Sequence, residues 1–187
     1  MIEQSGHLHA TVEHGDANVL LREICRPDYW RKRRGVIFLD PFGMSVEWST
    51  LQMIAATKAL DVWFLFPLLG TVRNLPRDAD ALDETKRAAV TRVLGTDDWF
   101  DVFYPEPHIT KNLLDIPSPR RRTASIDEIE AYVQKRLETI FLHVESPKRL
   151  RASGNRSLFS LFFAVSNPSS KAIELARKGA AHILKKV

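Results

Sequence analysis

The sequence predicts an α/β domain: a three-layer fold with a mostly parallel sheet that ends in an antiparallel strand pair. Two apolar runs, residues 36–39 and 60–66, are each closed by a proline and are separated by a helical pattern. Strands joined by a connection of that length need a crossover helix, which makes them parallel. Two later strand patterns, joined by a tight turn at Gly154-Asn155, predict the antiparallel pair.

Composition limits the class of protein. The chain has 187 residues, 44% hydrophobic and 27% charged, with a net charge of +4 and a pI near 9.3. These values are typical of one globular domain, residues 1–187, and the basic charge is compatible with a polyanionic partner. Cys25 is the only cysteine, which excludes an intramolecular disulfide, and no apolar run has the length of a membrane span. We expect a cytoplasmic protein without a membrane segment.

The first third of the chain leads into the central strand. Residues 8–13 predict a short strand, and Asp16 is placed to cap a helix that runs through Ile24 and stops at Pro27. A basic run then precedes residues 36–39, whose four consecutive apolar side chains predict a strand buried on both faces.

The middle of the chain predicts one helix over residues 46–58, capped by Ser45 or Ser49, and the strand that ends at Phe66. Residues 68–82 have the pattern of a loop. A helix over 84–94 ends at Gly95, and another begins at Trp99, with Val102 and Phe103 facing inward. Residues 104–122 contain four prolines and predict a long surface excursion, so that 68–124 has the character of an insertion.

The last third begins with a capping-box spacing, Ser125 followed by Glu128, which predicts a helix to about Leu142. Strands follow over residues 148–152 and 157–165. An amphipathic helix over 168–186 closes the chain, with Leu175 among its apolar positions.

Four blocks of sequence resemble the three-Cys-motif partner proteins, a group with a Rossmann-like fold of the class I S-adenosylmethionine-dependent methyltransferase type. The blocks are VIFLDPFGMSVEWSTL at 36–51, DVWFLFP at 61–67, GTDDW at 95–99 and LFSLFFAVSNP at 158–168. The resemblance covers most of the chain from about Gly15. It implies a partner protein that carries a cysteine triplet and is encoded beside this chain.

The resemblance also implies S-adenosylmethionine as cofactor, with Asp16 bonding the adenine amino group and with Ala17 and Asn18 flanking the ring. This sequence departs from the family pattern, because it contains no Gly-x-Gly and begins where the second or third strand is expected. The chain therefore represents either a truncated form or one that has lost its cofactor half. In both cases the sheet has an edge that residues 1–13, a partner chain or a second copy must cover.

The best candidate for chemistry is the turn Asp40-Pro41-Phe42-Gly43, at the carboxyl end of the central strand. Ligands of open α/β sheets bind at that edge. In amino-methyltransferases an Asp-Pro-Pro-aromatic turn here holds the target amine, so the resemblance implies that Asp40 and Pro41 hold the target and Phe42 stacks on a base. The alternative is that Asp40 ends the strand and caps the next helix. Asp16 has a similar alternative, as a simple helix cap.

Two basic sets have the character of phosphate contacts, although charge runs are more often solvated surface. They are Arg31, Lys32, Arg33, Arg34 and Arg120, Arg121, Arg122. The histidines at 7, 9 and 14 have no further ligand at fixed spacing, so no metal site is predicted.

These patterns leave two functions. One is a binding module with a partial methyltransferase fold, which acts with a partner protein and on nucleic acid. The other is a nucleic-acid methyltransferase.

Overall fold

The computed structural model describes residues 10–106 and 119–185. The helices are α1 Ala17–Ile24, α2 Pro27–Trp30, α3 Trp48–Ala56, α4 Leu68–Arg73, α5 Glu84–Leu94, α6 Trp99–Phe103, α7 Ile126–Glu138 and α8 Ser170–Leu184. The strands are β1 Gly35–Leu39, β2 Leu60–Phe66, β3 His143–Val144, β4 Lys148–Arg151 and β5 Ser157–Val165. The protein therefore has the α/β composition that the sequence predicts.

The five strands form one mixed sheet in the order β1-β2-β5-β3, with β4 also paired to β5. Among the described strands, only β1 and β2 run parallel, as predicted from the crossover helix between them. The other three pairings are antiparallel, so the prediction of a mostly parallel sheet is wrong. The cause is β5: the tight turn after β4 reverses the chain, and β5 then pairs with β2 on one side and with β3 and β4 on the other.

The sheet separates two layers of helices. Alternate side chains of β2 belong to the main core, namely those of Leu60, Val62, Phe64 and Phe66. Helices α3, α5, α6 and α7 contribute side chains to the same core. The opposite face carries a smaller cluster in which α8 packs on the sheet. That cluster contains Trp63, Phe163, Val165, Ile173, Ala176 and Ala180.

β1 is the end strand of the sheet, and the prediction that it is buried on both faces is wrong. Val36 is 63% exposed and Phe38 is 60% exposed, whereas Ile37 packs against the main core and Leu39 is buried. Phe38 lies opposite Trp63, so both belong to the α8 side of the sheet. The strand is apolar, as its sequence shows, but no described element covers its α8 side.

Several predicted helix ends are confirmed. Asp16 caps α1, and Ser125 and Glu128 form the reciprocal capping box of α7. Gly95 ends α5 in the left-handed conformation, with φ 70°, and a Cβ there would overlap the side chain of Trp48. Helix α7 ends at Glu138 rather than near Leu142, because the next segment turns to form β3.

Other local predictions are wrong. Residues 10–13 form no strand, and residues 8 and 9 lie outside the described residues. Residues 68–73 form α4 rather than a loop, with the Thr71 hydroxyl donating back to the Pro67 carbonyl at 3.0 Å. Neither Ser45 nor Ser49 caps α3, whose cap position is Glu47. Val102 and Leu175 are exposed rather than buried.

The segment 68–124 is not peripheral where it is described. Trp99, Phe103 and Tyr104 are fully buried in the main core, as are three residues of α5. Burial raises the pKa of Tyr104 to about 12, and its hydroxyl donates to the Pro76 carbonyl at 2.7 Å. Most of the predicted excursion at 104–122 lies outside the described residues.

An ion cluster joins α7 to the β4–β5 hairpin. Both carboxylate oxygens of Glu130 accept from Nε of Arg149 at 3.0 Å, and Oε2 also accepts from Nη2 of Arg149 at 2.7 Å. The hydroxyl of Ser160 donates to Oε1 of Glu130. Side-chain hydrogen bonding to Glu130 raises the pKa of Arg149. This cluster fixes the helix over the hairpin. Within residues 10–106 and 119–185, no helix is long and apolar enough to span a membrane.

Candidate functional site

The turn at residues 40–43, hereafter the Asp40 turn, ends β1 at the carboxyl edge of the parallel strand pair. Gly43 has φ 62°, a conformation that glycine adopts without strain. Asp40 is exposed and Pro41 is half-buried. Phe42 is 98% exposed, so its ring is presented to solvent rather than to the core. The geometry leaves a carboxylate and an aromatic ring accessible side by side.

The start of α1 lies beside this turn because Asn18 ties the two together. Its amide Nδ2 donates to the Ser45 carbonyl at 3.0 Å. Its Oδ1 accepts from the Glu47 backbone N–H at 3.1 Å and from the Thr50 hydroxyl at 2.8 Å. Asn18 thus links α1 to Glu47 and Thr50 at the start of α3, whereas the side chain of the cap residue Glu47 makes no capping hydrogen bond to that helix. Asn18 also fixes the first turn of α1 against the segment that follows the Asp40 turn.

Asp16 is the cap of α1. Its Oδ1 accepts from the backbone N–H of Asn18 at 2.7 Å and of Val19 at 3.4 Å. Asp16 therefore acts as a helix cap, which was the alternative to its predicted role in cofactor binding. This role does not exclude a ligand contact, because an exposed carboxylate that caps through one oxygen keeps a second.

Two depressions flank the Asp40 turn. The first, about 410 Å³, has Asp16, Ala17, Asn18 and Leu21 on one wall and residues 38–42 on the other. The second, about 500 Å³, is bounded by the same turn and by residues of α4 and β5, among them Arg73 and Phe159. The structure thus brings the residues predicted for target and cofactor, Asp40, Pro41, Phe42, Asp16 and Ala17, around one depression.

The first basic set lies at the other end of the strands, before β1. Arg31 pairs with Asp28 at 2.8 Å, and the Arg33 guanidinium stacks 4.0 Å from the ring centre of Tyr29. The Arg34 side chain donates to the Arg33 carbonyl at 2.6 Å. Lys32 is exposed. These side chains therefore do not line the depressions at the Asp40 turn.

The second basic set is held by protein contacts. Arg120 pairs with Asp101 at 2.9 Å and with Glu106 at 2.8 Å, and lies over the ring of Phe100. Arg121 pairs with Asp78 at 3.3 Å. Arg122 donates to the Ala124 carbonyl at 2.9 Å. These contacts attach residues 120–124 to the core. Arg31 and Arg34 of the first set line one cavity, and Arg121 and Arg122 of the second line another.

The cavity lined by Arg31 and Arg34, of about 560 Å³, lies at the amino ends of β1 and β2. Arg34 precedes β1 and Lys58 precedes β2, and the residues between β5 and α8 close the cavity. The carboxyl of Asp61 lies close by: burial raises its pKa, while backbone N–H donors of Ser166 and Asn167 and the charge of Arg34 oppose that rise.

Sequence reasoning missed Lys58 and the linking contacts of Asn18. The resemblance implied that Asn18 flanks the adenine ring, but the partners of its side chain lie 27 to 32 residues away, and no local pattern predicts such contacts. The sequence indicated Lys58 only weakly. Glycine is common just after the end of a helix, and the residue here is lysine. Comparisons with protein-family models, curated proteins and solved structures yield no match to this chain.

Proposed function

We propose that this chain is a binding module with part of a methyltransferase-like fold, and that a partner protein continues its sheet at β1. The complex then acts on nucleic acid. Four features support the proposal: the open edge of β1, its uncovered apolar side, the accessible Asp40 turn and the family resemblance.

The open edge of β1 is the observation that carries the proposal. The Gly35 N–H donates to the Ala59 carbonyl at 3.1 Å, which places Gly35, Ile37 and Leu39 on the side of β2. Since backbone groups alternate along a strand, the N–H and C=O groups of Val36 and Phe38 point away from β2. No strand in the described part of the chain pairs with them. Such an edge is a template for a strand from another chain.

The side chains of this edge favour a protein partner. Trp63 and Phe163 lie 4.6 Å apart between ring centres on the α8 side, and Phe38 continues their row across the sheet to β1. Because α8 covers only the inner part of that row, Val36 and Phe38 remain more than half exposed. A partner strand with an apolar covering segment would bury both side chains, which together are worth about 1–3 kcal/mol.

The test is binding to the cysteine-triplet protein encoded beside this chain, purified and titrated by calorimetry. Phe38→Lys should weaken the complex at least tenfold, because a lysine on an edge strand opposes pairing. Val102→Lys is the matched control: it replaces another exposed apolar side chain, on α6, and should bind like the wild type. Equal binding by both variants, or no binding by the wild type, contradicts the proposal. A homodimer that Phe38→Lys dissociates would instead assign the edge to a second copy.

The second candidate is a methyltransferase acting on nucleic acid, favoured by the depression that Asp16, Ala17 and residues 40–42 share. Its volume of about 410 Å³ lies within the range of small-molecule sites. In this function S-adenosylmethionine supplies the methyl group. Asp16 accepts a hydrogen bond from the adenine amine, Asp40 and Pro41 accept from the target amine, and Phe42 stacks on the target base.

Calorimetric titration with S-adenosylmethionine distinguishes the two candidates. Micromolar binding that is lost in Asp16→Asn supports the enzyme, and this variant keeps an oxygen acceptor for the cap of α1. Asp83→Asn is the control, since Asp83 caps α5 in the same way. Absence of binding by the wild type removes the enzyme for this chain and leaves the partner-binding proposal standing.

A further inference from the structure

The cavity at the amino ends of β1 and β2, hereafter the Lys58 cavity, is lined by cations from separate segments. Arg31 ends α2, Arg34 precedes β1, and Lys58 lies between α3 and β2. The remaining lining residues are Pro27, Trp30, Thr57, Asn167, Pro168 and Ser169. The lining thus contains three positive side chains and no carboxylate.

Two carboxylates lie near the cavity without lining it. Asp28 pairs with Arg31 at 2.8 Å, and both side chains are largely exposed, so this contact is weak. Asp61 accepts from the Ser166 backbone N–H at 3.1 Å. Arg34 is fixed by its own contacts with the backbone carbonyls of Arg33 and Trp30. Lys58 and Arg34 therefore give the cavity a net positive charge that these carboxylates do not remove.

The amino end of α8 forms part of the same wall. Ser169 is its cap residue, and its side chain makes no capping hydrogen bond. The first N–H groups of a helix need acceptors, and they favour anions. In a helix of 15 residues this end adds a directional contribution to the charge of the three side chains.

Lys58 adds an independent observation, because its backbone is unusual for a lysine. It has φ 52° and follows the C-cap of α3, where its N–H donates to the Ala55 carbonyl at 3.1 Å. Glycine is the usual residue at such a left-handed position, since any side chain is strained there. The residue at this position is a lysine despite that strain, and it lines the cavity. Strained non-glycine residues of this kind cluster at ligand sites.

We propose that the Lys58 cavity binds a phosphate group, held by Lys58, Arg34, Arg31 and the amino end of α8. The volume of about 560 Å³ leaves room for the sugar of a phosphate ester beside the phosphate itself. The ester is either a free nucleotide or a phosphodiester of a nucleic-acid strand. The site lies at the opposite end of β1 from the Asp40 turn and does not depend on a partner protein or on S-adenosylmethionine.

The test is amide NMR of the full chain titrated with inorganic phosphate, 5′-AMP and a short oligothymidylate, at two salt concentrations. The wild type should show saturable shifts at Lys58, Arg34 and Ser170 with all three. Tighter binding of 5′-AMP than of the oligonucleotide identifies a free nucleotide. Tighter binding of the oligonucleotide, with affinity that falls as salt rises, identifies a nucleic-acid strand.

Lys58→Gly provides the sharpest variant, because it relieves the backbone strain while it removes the charge. It should weaken phosphate binding about five- to tenfold and leave the Tm unchanged or higher. Arg34→Gln should weaken binding similarly, and Arg92→Gln, an exposed arginine on α5, should not. Binding unchanged in both cavity variants, or weakened equally by Arg92→Gln, overturns the proposal. So does a wild type whose amides do not shift.

Discussion

Replacement of Asn18 by alanine should destabilise the protein, because this side chain joins α1 to α3 beside the Asp40 turn. Asn18→Ala removes three hydrogen bonds, of 2.8 to 3.1 Å, and leaves the fully buried Thr50 without its side-chain acceptor. Each such bond contributes about 0.5–1.5 kcal/mol, and an unsatisfied buried group costs about 1–3 kcal/mol. Since these costs overlap, we expect a loss of about 2–4 kcal/mol.

The assay is urea unfolding followed by tryptophan fluorescence and far-UV circular dichroism. Asn18→Asp should fall between alanine and wild type, because it keeps the acceptor for Glu47 and Thr50 but loses the donor to Ser45. Gln134→Ala is the control: its amide bonds Glu138 on the surface of α7, and its loss should stay within about 0.5 kcal/mol. A loss at Asn18→Ala no larger than that of the control would refute the linking role.

Three further predictions concern the stability of the fold. Gly95→Ala should cost about 2–5 kcal/mol in urea unfolding, because φ is 70° and the new Cβ overlaps Trp48; a loss under 1 kcal/mol would contradict this. Glu130→Ala should cost about 2–4 kcal/mol, since it leaves the half-buried Arg149 with only the exposed Asp127 as partner and removes the acceptor of the buried Ser160, and Glu130→Gln should cost less. Burial raises the pKa of Asp61, so the folded state holds that proton more tightly than the unfolded chain, and stability falls as pH rises through the folded pKa. Asp61→Asn should remove this fall and raise the Tm at neutral pH relative to the wild type; an unchanged pH profile of Tm would be inconsistent with it.

The sequence predicts elements better than pairings. Local sequence patterns correctly predicted the helix caps at Asp16 and Ser125, the helix end at Gly95 and the strands β2 and β5. These features depend on residues that are close together in the chain. The direction of β5 relative to β2 depends on contacts about a hundred residues apart. An apolar run of 157–165 fits either direction. The wrong expectation of a mostly parallel sheet also depended on a first strand at residues 8–13, and residues 10–13 form none.

The same limit explains the error at β1. Its four apolar residues are typical of a strand covered on both faces, and the pattern carries no information about whether covering elements exist. Val36 and Phe38 are exposed because β1 ends the sheet and α8 packs elsewhere. This disagreement between an apolar pattern and an exposed strand is the observation from which we propose a partner.

For the candidate site, the sequence correctly predicted that Asp40 lies at the carboxyl end of a strand and that Asp16 caps a helix. That the two share a depression depends on Asn18, whose distant partners no spacing predicts. The basic residues were predicted as two sets by adjacency in the chain. The fold instead groups Arg31 and Arg34 with Lys58, and assigns Arg120 to ion pairs within the protein.

Amide hydrogen exchange at β1, with and without the cysteine-triplet partner, tests the central proposal most directly. In the isolated chain the amides of Ile37 and Leu39 should be protected by β2, while those of Val36 and Phe38 exchange rapidly. With saturating partner, exchange at Val36 and Phe38 should slow at least tenfold. A complex that forms while these two amides still exchange at their free rate would contradict sheet continuation at β1.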